Sequence, residues 1–163
     1  VSFTANIFAK YRESDGMGIV HSMRQDLVDG AVTSPLTAIA SDGYLKDGKG
    51  HPRTAGCYSK VLGHYVRTHS NFSLMEALRK ISLMPAQRLE SLAPGCKNKG
   101  RIKIGADADI IVFDKDELSD QSTYQEPTKA PDGMEHVLVN GVAVLLNGSV
   151  KEGSFPGKGI RSN

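Results

Sequence analysis

Apolar positions recur along the chain in helical rhythm first and in strand rhythm later. Ile19, Val20, Met23, Leu27 and Val28 are spaced by threes and fours, which predicts one helical stripe ending near Gly30. From Cys57 the apolar residues Tyr58, Val61, Leu62, Tyr65 and Val66 share one face, so a helix is expected near residues 57–68. Ser73 stands three residues before Glu76 in capping-box spacing, and Leu74, Ala77, Leu78 and Ile81 follow as an apolar stripe. That predicts a helix over 74–84, ended or kinked by Pro85, with Ala86 to Leu89 opening a further short one. The run from Phe3 to Phe8 is short and apolar and reads as a strand.

Between these helices, Pro35 leads into the unbroken apolar run Leu36 to Ala40, which stops on Ser41-Asp42-Gly43. Such a run predicts a buried strand over 36–42 that delivers an acidic side chain at its C-terminal end. Gly43 to Gly50, rich in Gly, Lys and Asp, reads as a loop. Past Cys96 the rhythm becomes that of strands. Arg101 to Gly105 alternates, Ala108 to Phe113 is apolar, and Val137 to Val144 is a hairpin across Asn140-Gly141. The polar stretch Asp114 to Met134, with Pro127 and Pro131, is a long excursion, and Gly153 to Asn163 a surface tail.

Composition narrows the class. A chain of 163 residues with 39% hydrophobic content and 17 glycines supports one domain, or pieces of two, in an ordinary globular protein. Twenty basic residues against 18 acidic ones leave a formal charge of +2, scattered without a stripe. This argues against a nucleic-acid or membrane partner. Cys57 and Cys96 are far apart and form no C-x-x-C pair, which favours a reduced, cytoplasmic setting, a single disulfide staying open. No signal peptide or membrane span is visible, and the start at Val1 without Met suggests a fragment or processed chain.

The candidate chemistry gathers near the end of the expected strand. A carboxylate there, Asp42, suits a general base or one ligand of a metal, although Ser-Asp-Gly is also a common turn. A loop further on, Arg53 offers a planar, permanently charged fork for a carboxylate, stiffened by Pro52, while His51 can orient Asp42 or the substrate. An isolated loop Arg or His is equally compatible with a solvated surface. His64 and His69 lie five apart rather than three or four, so no ligand pair is expected. The glycines after Lys99 do not spell a phosphate loop.

Two stretches together resemble the metal-dependent amidohydrolase superfamily: Met84-Pro85-Ala86-Gln87-Arg88-Leu89, and the run from Lys99-Gly100-Arg101 through Gly105-Ala106-Asp107-Ala108-Asp109 to Asp114. Narrower signals resemble its D-aminoacylase branch, the N-acyl-D-amino-acid deacylases. They are Ser41-Asp42-Gly43, His51-Pro52-Arg53, Leu62-Gly63 with Tyr65-Val66-Arg67, Ser73 to Lys80, Ser122 to Pro127, Val139-Asn140-Gly141 and Pro156-Gly157-Lys158. The resemblance implies an α/β fold: residues 1–95 as the C-terminal piece of a (β/α)8 TIM barrel, and 96–163 as a segment of a small β-sandwich.

The same resemblance implies a zinc-dependent enzyme, with one or two ions, that hydrolyses the amide of N-acyl-D-amino acids. Zinc would lower the pKa of its water and polarise the amide carbonyl. Asp42 would be the catalytic base, Arg53 the holder of the substrate α-carboxylate, and His51 and Gly43 the neighbouring pocket wall. The metal ligands would lie upstream, with Asp42 the one possible contributor here. The missing N-terminal part of the enzyme, or a homo-oligomer, is therefore expected as partner, and the 163-residue chain alone is expected to be inactive. A cyclic-amide hydrolase and a non-catalytic binding or assembly module are the alternatives.

Overall fold

The computed structural model of the chain describes residues 5–13 and 18–162. Its first helix, α1 (Ala5–Glu13), corrects the strand expected over residues 3–8: residues 5–8 are helical, and residues 3–4 lie outside the described residues. A short apolar run does not by itself distinguish strand from helix, and Ala9, Lys10, Arg12 and Glu13 are good helix formers. Helix α2 (Gln25–Thr33) starts later than its apolar stripe implied and passes through Gly30. Asp26 in its first turn complements the helix dipole and pairs with Arg24, while Ile19, Val20 and Met23 lie ahead of the helix, exposed.

Residues 36–42 form no strand within this chain, contrary to expectation. A buried strand of the parallel kind needs neighbours on both sides, and the described residues supply none. Ile39 is nonetheless buried, and its amide donates to the carbonyl of Lys80 at 3.1 Å. The loop expected over 43–50 holds a small hairpin, β1 (Leu45–Lys46) with β2 (Lys49–Gly50). Asp47 and Gly48, both at positive φ, turn it.

The helix expected near 57–68 begins at Arg53. Helix α3 (Arg53–Lys60) runs without a break into a π-helical segment, Val61–Thr68. The Ser73 cap is present: its hydroxyl accepts the Glu76 amide at 3.1 Å. Helix α4 (Leu74–Leu78) then passes through a second π segment, Arg79–Leu83, into α5 (Met84–Leu89). Pro85 therefore neither ends nor breaks the helix; it sits in the first turn of α5, where its missing amide leaves a carbonyl of the preceding π segment without a helical donor.

The C-terminal strands β3 (Ile110–Phe113), β4 (Met134–Val139), β5 (Val142–Leu146) and β6 (Ser149–Val150) form one antiparallel sheet in sequence order. Asn140-Gly141 makes the expected two-residue turn between Val139 and Val142, and Asn147-Gly148 makes a second, with all four residues at positive φ. Arg101 to Gly105 is not a strand. Its two isoleucines, Ile102 and Ile104, are 89% and 104% exposed, as befits an alternating segment that lacks a partner to pair with.

The core joins both halves. Ile39, Val61, Leu62 and Ala77 pack with Leu118, which the polar excursion carries in, and Phe113 and Met134 lean on them from the sheet. Gly63 and Gly133 allow this close approach: a Cβ on Gly63 would stand 2.6 Å from the Leu118 carbonyl oxygen. Tyr65 donates to Asp29 at 2.7 Å, tying the π segment to α2; burial and that carboxylate push its phenol up to about 12. The tail lies over the sheet, with Asn140 Nδ2 donating to the Pro156 carbonyl at 2.6 Å.

Candidate active site

Beyond buried Ile39 the chain leaves the core at Ala40, whose carbonyl accepts the Cys57 thiol at 3.7 Å, and reaches Asp42 at φ 45°. Aspartate tolerates this left-handed conformation better than most residues. Gly43 then lies against the start of α3 so closely that a Cβ would sit 2.9 Å from Thr54 Cα. This turn faces Arg53, the first residue of α3.

Arg53 Nη2 donates to Asp42 Oδ2 at 2.5 Å, and Nε donates to the Asp42 carbonyl at 3.0 Å. The Asp42 side chain is 86% exposed and that of Arg53 45%. An ion pair this open to water contributes no more than ~1 kcal/mol. A second carboxylate can therefore exchange with Asp42 on the guanidinium.

His51 secures the same helix start. Its Nδ1 accepts the Arg53 amide at 3.1 Å, which leaves the neutral ring's proton on Nε2, 3.5 Å from the Tyr124 hydroxyl. Burial and the positive charge of Arg53 hold its pKa below the ordinary histidine value. Tyr124 meets His51 edge-on at 5.3 Å and His21 at 4.8 Å on another side. These groups, with Tyr44 and the segment from Gly18 to Met23, line a cavity of about 610 Å³.

The structure thus brings together the four residues singled out in the sequence: Asp42, Gly43, His51 and Arg53. Tyr124 and His21 were not singled out. An aromatic residue alone in the polar Ser122 to Pro127 stretch was a usable signal for the first; nothing in the local pattern marked the second. His64 and His69 do meet, with ring centroids 4.3 Å apart. Their spacing of five matches the π-helical hydrogen bond, in which the His69 amide donates to the His64 carbonyl at 3.0 Å. Cys57 and Cys96 are free thiols, and burial pushes the Cys57 thiol up, away from reactive thiolate.

Among the described residues no group of three or more His, Cys, Asp or Glu side chains is placed to hold a metal ion. Asp42, the contributor the resemblance allows, is engaged by Arg53 here, and one carboxylate by itself does not make up a zinc ligand set.

In a chain of mixed helix and strand, an acid and an arginine are thus paired at the end of an apolar run. A sequence model of the amidohydrolase family matches residues 9–145, and the chain belongs to that family. It is 42% identical over 107 residues to an N-acyl-D-glutamate deacylase of Alcaligenes xylosoxydans xylosoxydans, covering 66% of this chain and 21% of that protein. A D-aminoacylase of the same organism is 37% identical over 108 residues, again covering 66% and 21%. The chain spans about a fifth of the length of these curated relatives.

Solved structures agree on the fold. A D-aminoacylase crystal structure superposes with TM-score 0.76 at 33% identity, covering 85% of this chain and 28% of its own. The N-acyl-D-glutamate deacylase of Bordetella bronchiseptica, complexed with zinc and a phosphonate mimic of the tetrahedral intermediate, gives 0.68 at 37% identity, covering 75% and 25%.

Proposed function

We propose that these residues are the C-terminal part of a longer zinc-dependent enzyme that hydrolyses N-acyl-D-amino acids to a carboxylate and a D-amino acid. Residues 1–95 would complete a TIM barrel, and 96–163 would form part of a small β-sandwich. The observation that carries this is the meeting of Asp42 with Arg53 in a chain 42% identical to an N-acyl-D-glutamate deacylase. The exposed isoleucines at 102 and 104 and the unpaired run at 36–42 support further chain packing against this one. The free thiols Cys57 and Cys96 support a reduced, cytoplasmic setting.

The roles follow from chemistry. Asp42, a carboxylate on a turn open to the cavity, takes a proton from the attacking water and returns it to the leaving amine. Arg53, whose fork already accommodates a carboxylate, holds the substrate's α-carboxylate in exchange for Asp42. That exchange frees the base as substrate arrives. His51 and Gly43 keep the start of α3 against the turn, so that the two charges stay within reach. The zinc would be held mostly by residues upstream of these, with Asp42 the one possible contributor here, and isolated residues 1–163 are expected to be inactive.

The test is turnover of N-acetyl-D-amino acids by the full-length protein supplied with zinc. Deacylation is expected, with Asp42→Asn lowering kcat by a factor on the order of 10² to 10⁴. Near-normal turnover in Asp42→Asn would overturn the assignment of the base. Faster hydrolysis of hydantoins or dihydroorotate than of N-acyl-D-amino acids would overturn the substrate class.

A further inference from the structure

We propose that Lys80 is the residue that positions Asp42, and that Pro85 frees it to do so; the catalytic half of this rests on Asp42 being the base of the proposed deacylase. Residues 34–39 form no strand among the described residues and reach the core at Ile39, so the backbone groups on their inner side take partners from the helices. Lys80 supplies them. Its Nζ donates to the Ser34 carbonyl, to the Thr37 carbonyl at 2.6 Å and to Thr37 Oγ1 at 3.1 Å. Its own carbonyl accepts the Ile39 amide at 3.1 Å. The Thr37 hydroxyl in turn donates to the Ala31 carbonyl at 2.6 Å, extending the grip to α2.

Lys80 is 1% exposed. Lysines are almost never buried so completely unless paired, and here three oxygens of neutral groups take the three ammonium donors. Such a cage holds the segment at one height relative to the helix.

The helix itself releases the carbonyl. In a π turn, the carbonyl of one residue accepts the amide five positions on. The Met84 amide goes to the Arg79 carbonyl, so it is already used. The corresponding partner of Lys80 would be residue 85, a proline, which has no amide hydrogen. Its helix thus leaves the Lys80 carbonyl without a donor, and the Ile39 amide takes it. Ile39 lies three residues before Asp42. The grips at Ser34, Thr37 and Ile39 together decide where Asp42 emerges beside Arg53, although Lys80 touches neither residue in this arrangement.

Two variants of the full-length protein test this. Pro85→Ala restores an amide that competes for the Lys80 carbonyl and leaves the helix intact; Lys80→Met removes the ammonium and keeps the stem. Both are expected to speed hydrogen exchange at the Ile39 amide. They should also lower kcat by roughly 10- to 100-fold, the scale of a misplacement near 1 Å, while KM holds and the basic-group limb of the kcat–pH profile moves. A variant with a lower Tm but unchanged kcat and pH limb, measured well below that Tm, would reduce Lys80 to a structural role and overturn the proposal. Because Lys80→Met can fail to fold, Pro85→Ala decides: unaltered Ile39 protection in it overturns the proposal by itself. Absence of deacylase activity in the unmodified protein would sink the assigned function instead, and the exchange measurement would still judge the positioning.

Discussion

Arg53 grips Asp42 at two points, the carboxylate at 2.5 Å and the backbone carbonyl at 3.0 Å, from the first residue of a helix. A lysine has the charge but not the fork, and one ammonium cannot span both oxygens in the same way. Arg53→Lys in the full-length enzyme is expected to raise KM for N-acyl-D-amino acids by about 10- to 100-fold, the scale of one charge-assisted hydrogen bond, with a smaller change in kcat. Steady-state kinetics check it; an unchanged KM would remove Arg53 from carboxylate binding.

The His51 cap makes folding sensitive to acid. Its folded pKa lies below the unfolded value of 6.5, because burial and Arg53 disfavour the imidazolium. As pH falls below 6.5 the unfolded chain takes up a proton that the folded chain resists, so stability declines until the lower folded pKa is passed. His64 is lowered too, by burial and by His69, and adds in the same direction. Urea unfolding across this acid range is expected to show a shallower decline for His51→Gln than for the unmodified chain.

Gly63→Ala sets two effects against each other. Alanine favours a helix over glycine by about 1 kcal/mol. Its Cβ would stand 2.6 Å from the Leu118 carbonyl oxygen, and backbone cannot yield there cheaply. Overpacking of this kind costs roughly 1 to 3 kcal/mol, so net destabilisation is expected in chemical denaturation.

Ser73→Ala removes the acceptor for the Glu76 amide. The Glu76 side chain is held by Arg79 at 2.7 and 2.8 Å and does not return to the cap, so no reciprocal bond cushions the loss. A drop of about 1 kcal/mol in unfolding free energy is expected.

What could be read in the sequence was whatever the chain settles locally. Ser73 and Glu76 announced a helix start, and Asn140-Gly141 a hairpin, because both signals act within a few residues. The meeting of Asp42 and Arg53 was legible as chemistry, through a strand-end acid and a nearby fork. Residues 36–42 and 101–105 carry strand patterns that this chain cannot satisfy, since a strand is completed by its neighbours. The π segments were hidden because apolar periodicity near three and a half does not reveal which carbonyl an amide chooses. His64 and His69, set aside for their spacing of five, meet for that reason. Lys80 gave no sign either, because lysine ordinarily marks the surface.

Leu118 blurs the boundary that the resemblance draws near residue 95. It leaves the polar excursion of the C-terminal half to lie 1% exposed among Ile39, Val61, Leu62 and Ala77 of the N-terminal half. Melting either half would uncover the other's core, so the helices and the sheet are expected to lose their structure in one cooperative transition rather than two.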